Sequence, residues 1–164
     1  MKKASFCISC GSALEEKNIM NEIRPACPQC GWVYYEDPKV AVAVVVQQNG
    51  QVLLTRRINI PYQGMWSLPA GFVNAREDPA AAAERECLEE TGLTVKVGEV
   101  FTVLTGREHS RGSDILLVYR ATTVAGIPQA GDDADLVMFF SKEDLPPLAF
   151  QSTHKILDLI YREE

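Results

Sequence analysis

The chain has 164 residues, with 22 acidic against 16 basic side chains and a formal net charge of −6. That length accommodates one proper core plus a small module, and the acidic balance argues against a general nucleic-acid-binding surface. The longest wholly apolar run, residues 40–46, is far too short to span a bilayer. The opening MKKASFCISC turns polar at once and carries no secretory signal. No membrane partner and a cytoplasmic setting are therefore expected.

The first feature in chain order is a cysteine array. Cys7-Ile8-Ser9-Cys10-Gly11 and Cys27-Pro28-Gln29-Cys30-Gly31 are two C-x-x-C-G knuckles separated by a short polar insert. Paired thiolates at this spacing suit tetrahedral Zn2+, and the glycine after each second cysteine permits the tight turn that a knuckle needs. Disulfides are the alternative, but a cytoplasmic chain with this pattern favours metal. Four thiolates at Cys7, Cys10, Cys27 and Cys30 close the coordination sphere, so the zinc is expected to be structural. A zinc ribbon over residues 1–35 is too short for much core of its own.

Residues 32–35 close the ribbon, and Glu36-Asp37-Pro38 leads into a second domain, 36–164. Residues 39–47 are continuously β-branched and apolar, as in a strand buried on both faces. Asn49-Gly50 is a two-residue turn signal, returning into a hairpin partner at 51–56. A loop with Pro61, Gly64 and Trp66 follows, and Leu68-Pro69-Ala70 ends it. Pro79 opens a helix that Gly92 stops, with Ala80, Ala83, Cys87 and Leu88 as its apolar face. Residues 94–105 and 114–123 read as antiparallel strands around the polar loop 106–112, and 136–140 as another short strand. Residues 144–147 (Asp-Leu-Pro-Pro) break the chain before an amphipathic helix at 153–161. There are too few crossovers for a doubly wound parallel sheet.

The chemistry lies in the segment 71–93, GFVNAREDPAAAAERECLEETGL. On its helix Glu86, Glu89 and Glu90 project within an arc of about 100°. Like charges so grouped repel and call for a cation. Hard divalent ions such as Mg2+ or Mn2+ take carboxylate oxygens and also bind substrate phosphates. A solvated acidic face is the bland alternative.

Gly71, Glu77, Arg85, Glu86, Glu89, Glu90, Gly92 and Leu93 fall on the required positions of G-x5-E-x7-R-E-U-x-E-E-x-G-U, where U is bulky and apolar. Cys87 stands where an aliphatic residue is usual. The stretch resembles the Nudix box. That resemblance implies an α+β fold, an α/β/α sandwich around a mixed sheet, behind the ribbon. It implies that Glu86, Glu89 and Glu90, with the backbone carbonyl of Ala70, ligate Mg2+ or Mn2+, and that Arg85 pairs with Glu77. The general base would be a box glutamate or an acid of a later loop. Asp132, Asp133 and Asp135 lie in such a loop, with Asp133 the candidate and an ordinary acidic turn the alternative.

The implied reaction is hydrolysis of the pyrophosphate bond in a nucleoside diphosphate linked to another moiety. The chain is similar over nearly its whole length to a ribbon-plus-Nudix group of FAD, ADP-ribose and NADH pyrophosphatases. The CxxCG pair, Tyr35 and Pro38 of the link, GMWSLPAG and LPPLAFQS carry that likeness. The SQPWPFPxS-like array of NADH pyrophosphatases does not occur between Leu93 and Gly131, and Arg107, Glu108 and His109 occupy the region of the ADP-ribose marker proline. The expected substrates are ADP conjugates, with FAD first, then ADP-ribose and NADH. Alternatives are a housecleaning hydrolase of nucleoside triphosphates and a non-catalytic nucleotide sensor.

Arg57, after Arg56 at the end of the hairpin, is a candidate phosphate contact, with solvent exposure as its alternative. Trp66 is a candidate base-stacking residue, with core packing as its alternative. The loop 107–111 could close over a substrate. His109 and His154 receive no role. Relatives of this group are often homodimers, so a homodimer is a further expectation.

Overall fold

A computed structural model describes residues 4–163 of the chain. These form two compact units, one up to Pro38 and one from Lys39 onward. Among the described residues no helix is long and apolar enough to cross a membrane.

In the first unit, β1 (Glu15–Ile19) and β2 (Glu22–Ala26) form an antiparallel hairpin. The sequence shows only a polar insert here. Its turn residues are Met20 and Asn21, both at positive φ (52° and 65°), a conformation that the Met-Asn pair does not announce. The two knuckles flank the hairpin. Gly11 and Gly31 sit in the left-handed region and donate their amides to the carbonyls of Cys7 (2.9 Å) and Cys27 (3.1 Å).

The second unit is built on β3 (Val40–Gln48), which turns through Asn49 and Gly50, both at positive φ, into β4 (Gln51–Arg57). Then come β5 (Trp66–Ser67), β6 (Ala70–Phe72), α1 (Pro79–Thr91), β7 (Thr94–Thr105), β8 (Ile115–Ala125), β9 (Ala134–Phe140) and α2 (Gln151–Glu163). The sheet is mixed. β3 runs parallel to β8 and antiparallel to β4 and β6, β7 pairs antiparallel with β8, and β4 pairs antiparallel with β5 and β9.

Alternation along the central strands sorts the core into two layers. Val42, Val44 and Val46 of β3, with Leu53 of β4 and Tyr119 of β8, pack against Ala82, Ala83 and Cys87 of α1. Their neighbours Ala43, Val45, Val52, Leu54 and Val118 pack against Ile156, Leu157 and Ile160 of α2. A helix on each face of a mixed sheet is the α/β/α sandwich that the box resemblance implies, and β3 is buried on both faces as its composition requires. Burying one such Val or Leu stabilises the fold by about 1.5–3 kcal/mol.

Three expectations change. Leu88 is 48% exposed, and Ala82, Ala83, Cys87, Glu90 and Thr91 form the buried face of α1. The hydrogen-bonding needs of residues read as loop are met by pairing: β5 joins β4 and β6 joins β3. Helix α2 begins at Gln151, two residues before the sequence signal. Its first amides are capped by the Glu108 carboxylate, which is remote in sequence (Gln151 N 2.6 Å, Ser152 N 2.8 Å).

Candidate active site

The box glutamates owe their placement to a well-terminated helix. Asp78 is the N-cap of α1, accepting from the amides of Ala80 (2.9 Å) and Ala81 (3.2 Å), and Pro79 occupies the first turn. Gly92, at φ 68°, ends the helix by donating to the carbonyl of Leu88.

Arg85 organises the acids around it. Its Nε and Nη2 donate to both oxygens of Glu77 (2.7 and 3.0 Å), and its Nη1 donates to Glu86 (2.7 Å) and Glu89 (3.0 Å). Nη2 also reaches the carbonyl of Phe72 (3.2 Å), which ties the loop to the helix. The fork holds the Glu77 carboxyl near 2, helped by the Asn74 amide at 2.8 Å. The Glu77–Arg85 pairing is therefore the loop-to-helix clamp that the box pattern implies.

Glu86 and Glu90 are partly and almost fully buried, and Glu89 is exposed. Burial pushes Glu90 up to about 8, against the opposing hydrogen bonds from the Thr55 hydroxyl (3.0 Å) and the Ala70 amide. Burial also raises Glu86. The Glu86 carboxyl lies directly over Gly71, where an added Cβ would stand 2.0–2.2 Å from its atoms. That contact explains why the box opens with glycine.

The later acidic loop packs on the same helix. Gly131 donates its amide to the backbone carbonyl of Glu90 (3.2 Å) and approaches the Glu89 carbonyl so closely that a Cβ would stand 2.7 Å from it. Asp133 accepts from the Asn59 amide group at 2.7 Å, whereas Asp135 is held by Arg56 in a two-pronged ion pair (2.8 and 2.9 Å). Of the two arginines that end β4, Arg56 is thus committed to Asp135. Arg57 lies over the Phe150 ring, 4.8 Å from its centroid.

A cavity of about 740 Å3 opens beside the box. Ala70, Gly71 and Asp133 form part of its wall, and Arg57, His109 and Phe150 form another part. Trp66 is not on that wall. It is 8% exposed and packs edge-on against Phe140 in the α2 core layer, so base stacking by Trp66 is corrected to core packing. Thr55, bonded to Glu90, and Asn59, bonded to Asp133, join the site although no motif marks them, whereas Glu108 and His109 belong to the loop 107–111 and Phe150 to LPPLAFQS, both visible in the sequence. Thr55 and Asn59 reach it through strand pairing and loop packing, which leave no local signal.

Two donor sets suit metals. The Sγ atoms of the four N-terminal cysteines are 3.5–3.7 Å apart where they touch, and none forms a disulfide. Tetrahedral zinc with bonds of about 2.3 Å places sulfurs about 3.8 Å apart, so this set fits Zn2+. Among the described residues it is the one group whose ligand atoms all lie within 4.8 Å of one another. The carboxylates of Glu86, Glu89 and Glu90 are hard oxygen donors that fit Mg2+ or Mn2+ chemically. They stand further apart, with the Arg85 guanidinium between Glu86 and Glu89.

Residues 37–159 match the family described as NUDIX domain. The chain belongs to the Nudix family. It is 38% identical over 125 residues to an ADP-ribose pyrophosphatase of Methanocaldococcus jannaschii, covering 76% of this chain and 74% of that one. It is 31% identical over 148 residues to the NAD-capped RNA hydrolase NudC of Pseudomonas aeruginosa, covering 89% of this Nudix chain but only 51% of that protein. This chain thus spans about half the length of the NudC relative. The crystal structure of a NUDIX hydrolase from Nitrosomonas europaea superposes with a TM-score of 0.84 at 30% identity, covering 94% of this chain and 88% of that one. The protein is a Nudix hydrolase.

Proposed function

We propose that this Nudix hydrolase cleaves the pyrophosphate bond of an ADP conjugate, releasing AMP and a second monophosphate. The observation that carries the reading is the shared cavity. The box loop at Ala70 and Gly71, the acid Asp133 and the cation Arg57 all face one space large enough for a nucleotide conjugate. The names of the two relatives weight ADP-ribose and NAD-type conjugates ahead of FAD.

In this reading Glu86, Glu89, Glu90 and the Ala70 carbonyl hold Mg2+ or Mn2+. The bound cation supplies charge neutralisation on the phosphoryl oxygens and lowers the pKa of water. Arg85 and Glu77 keep the ligand carboxylates pre-organised. Asp133, steadied by Asn59, accepts the proton of the attacking water as the bridging P–O bond breaks. Arg57 contacts a phosphate of the substrate. Cys7, Cys10, Cys27 and Cys30 hold a structural zinc, in keeping with a cytoplasmic setting where thiols stay reduced.

The test is a hydrolysis panel of ADP-ribose, NADH, NAD, FAD and 8-oxo-dGTP with Mg2+ or Mn2+, beside Glu89→Gln. AMP released from an ADP conjugate by the native chain and lost in the variant supports the reading. Pyrophosphate from the triphosphate alone moves the protein to nucleotide housecleaning. Metal binding without any turnover makes it a nucleotide sensor.

A further inference from the structure

The segment 106–112 is fastened to the body of the second unit at three points. Glu108 caps both Gln151 and Ser152 at the start of α2. Arg107 pairs with Asp114 at 2.6 Å, and Asp114 in turn accepts from the Lys39 amide at 2.9 Å. His109 lies stacked on Phe150, with centroids 5.8 Å apart and planes inclined by 22°. Tyr62 meets both rings edge-on, at 6.5 Å from His109 and 5.3 Å from Phe150.

The result is an aromatic group with two members, His109 and Phe150, on the cavity wall. Ile60, Leu104 and Leu116 add apolar wall. Burial and the Arg57 charge lower the His109 pKa, so the ring stays neutral near pH 7. Glycosyl and phosphate groups are polar and gain little from such a surface, whereas a flat heteroaromatic ring gains from stacking on it.

We propose that this wall is the subsite for the planar heteroaromatic ring of the conjugate, with His109 as the residue that contacts the ring and Glu108 as the residue that positions His109. The inference rests on the ADP-conjugate reading, because it needs a substrate that carries such a ring. Glu108 acts only through the loop. With its carboxylate on the α2 amides, the loop stays closed against Phe150 and the stack is ready before substrate arrives.

The test measures binding by calorimetry, with no turnover required. AMP and nicotinamide mononucleotide supply the two candidate rings, and ribose 5-phosphate supplies sugar and phosphate without a ring. His109→Ala should weaken binding of a ring-bearing probe by about tenfold and leave ribose 5-phosphate unchanged. His109→Phe should restore it. Glu108→Gln should weaken the same probe several-fold, again sparing ribose 5-phosphate, and should raise KM more than it lowers kcat wherever a substrate is turned over. Loss with AMP alone assigns the adenine to this wall, and loss with nicotinamide mononucleotide alone assigns the other ring. Unchanged binding of both ring probes, or an equal loss with ribose 5-phosphate, overturns the proposal. Turnover of ADP-ribose that persists with unchanged KM in His109→Ala would sink the subsite and spare the reaction. Absent turnover with ring-selective binding would do the reverse.

Discussion

At the scale of single residues, the site sets function against stability. Glu90 is 7% exposed, and burial raises its pKa to about 8. At neutral pH the metal-free fold therefore holds this carboxyl largely protonated, and taking up that proton on folding is a cost that a neutral side chain does not carry. Glu90→Gln keeps an acceptor for Thr55 and for the Ala70 amide but cannot ionise to meet a cation. The expected outcome is a Tm equal to or a few degrees above that of the native chain, together with loss of hydrolysis. Calorimetry beside the substrate panel checks it, and a sharply lower Tm would mean that the ionised form is stabilising. Gly71 makes the opposite point about space. A methyl there must displace the Glu86 carboxylate, the far end of a flexible side chain. Gly71→Ala should therefore fold normally but bind catalytic metal about 10- to 100-fold more weakly, the usual scale for disturbing a ligand's support. A Mn2+ titration reads that shift.

At the scale of elements, Arg85 joins the loop before α1 to the helix itself. Glu77 sits near 2 instead of 4.5, chiefly because Arg85 donates to both its oxygens. A depressed carboxyl pKa contributes stability that is full above the unfolded value and lost as pH falls through the folded one. The native chain should therefore lose this contribution between about pH 4.5 and 2, and Glu77→Gln, which never has it, should not. Tm measured against pH should show the two curves separated at pH 6 and converging in that acid window. Parallel curves would remove the clamp from the account of stability. The same elements show how far the sequence can be read. The β3–β4 hairpin and α1 announce themselves because Asn-Gly, Pro79 and Gly92 act locally. The start of α2 and the hairpin between the knuckles do not, since Glu108 caps from a distance and Met20-Asn21 is an uncommon turn pair. The site divides in the same way. The box residues are legible through their fixed spacing across loop and helix, whereas Thr55 and Asn59 arrive through tertiary packing. Trp66 is a candidate base contact by type, but its place just before Leu-Pro-Ala-Gly more often means core packing, and there the structure puts it.

At the scale of the whole molecule, the two units are held by different physics. The unit from Lys39 onward has two core layers with a helix on each, and hydrophobic burial accounts for its order. The unit up to Pro38 has three buried hydrophobic residues among those described, Cys7, Ala26 and Cys27, and two of these are candidate zinc ligands. So small a core offsets little of the conformational entropy lost in ordering this unit. A zinc ion held by the four cysteines would add its binding free energy to that of folding. Cys27→Ser removes a buried candidate ligand and should abolish zinc binding, whereas the second unit, whose layers do not contain Cys27, should keep its order. Hydrogen exchange should then show protection lost over β1, β2 and both knuckles, with residues 39–163 exchanging as in the native chain. Metal analysis by mass spectrometry supplies the stoichiometry. A first unit that kept its protection without zinc would show that the hairpin register and the packing of Ala26 suffice, and the cysteines would then need another explanation.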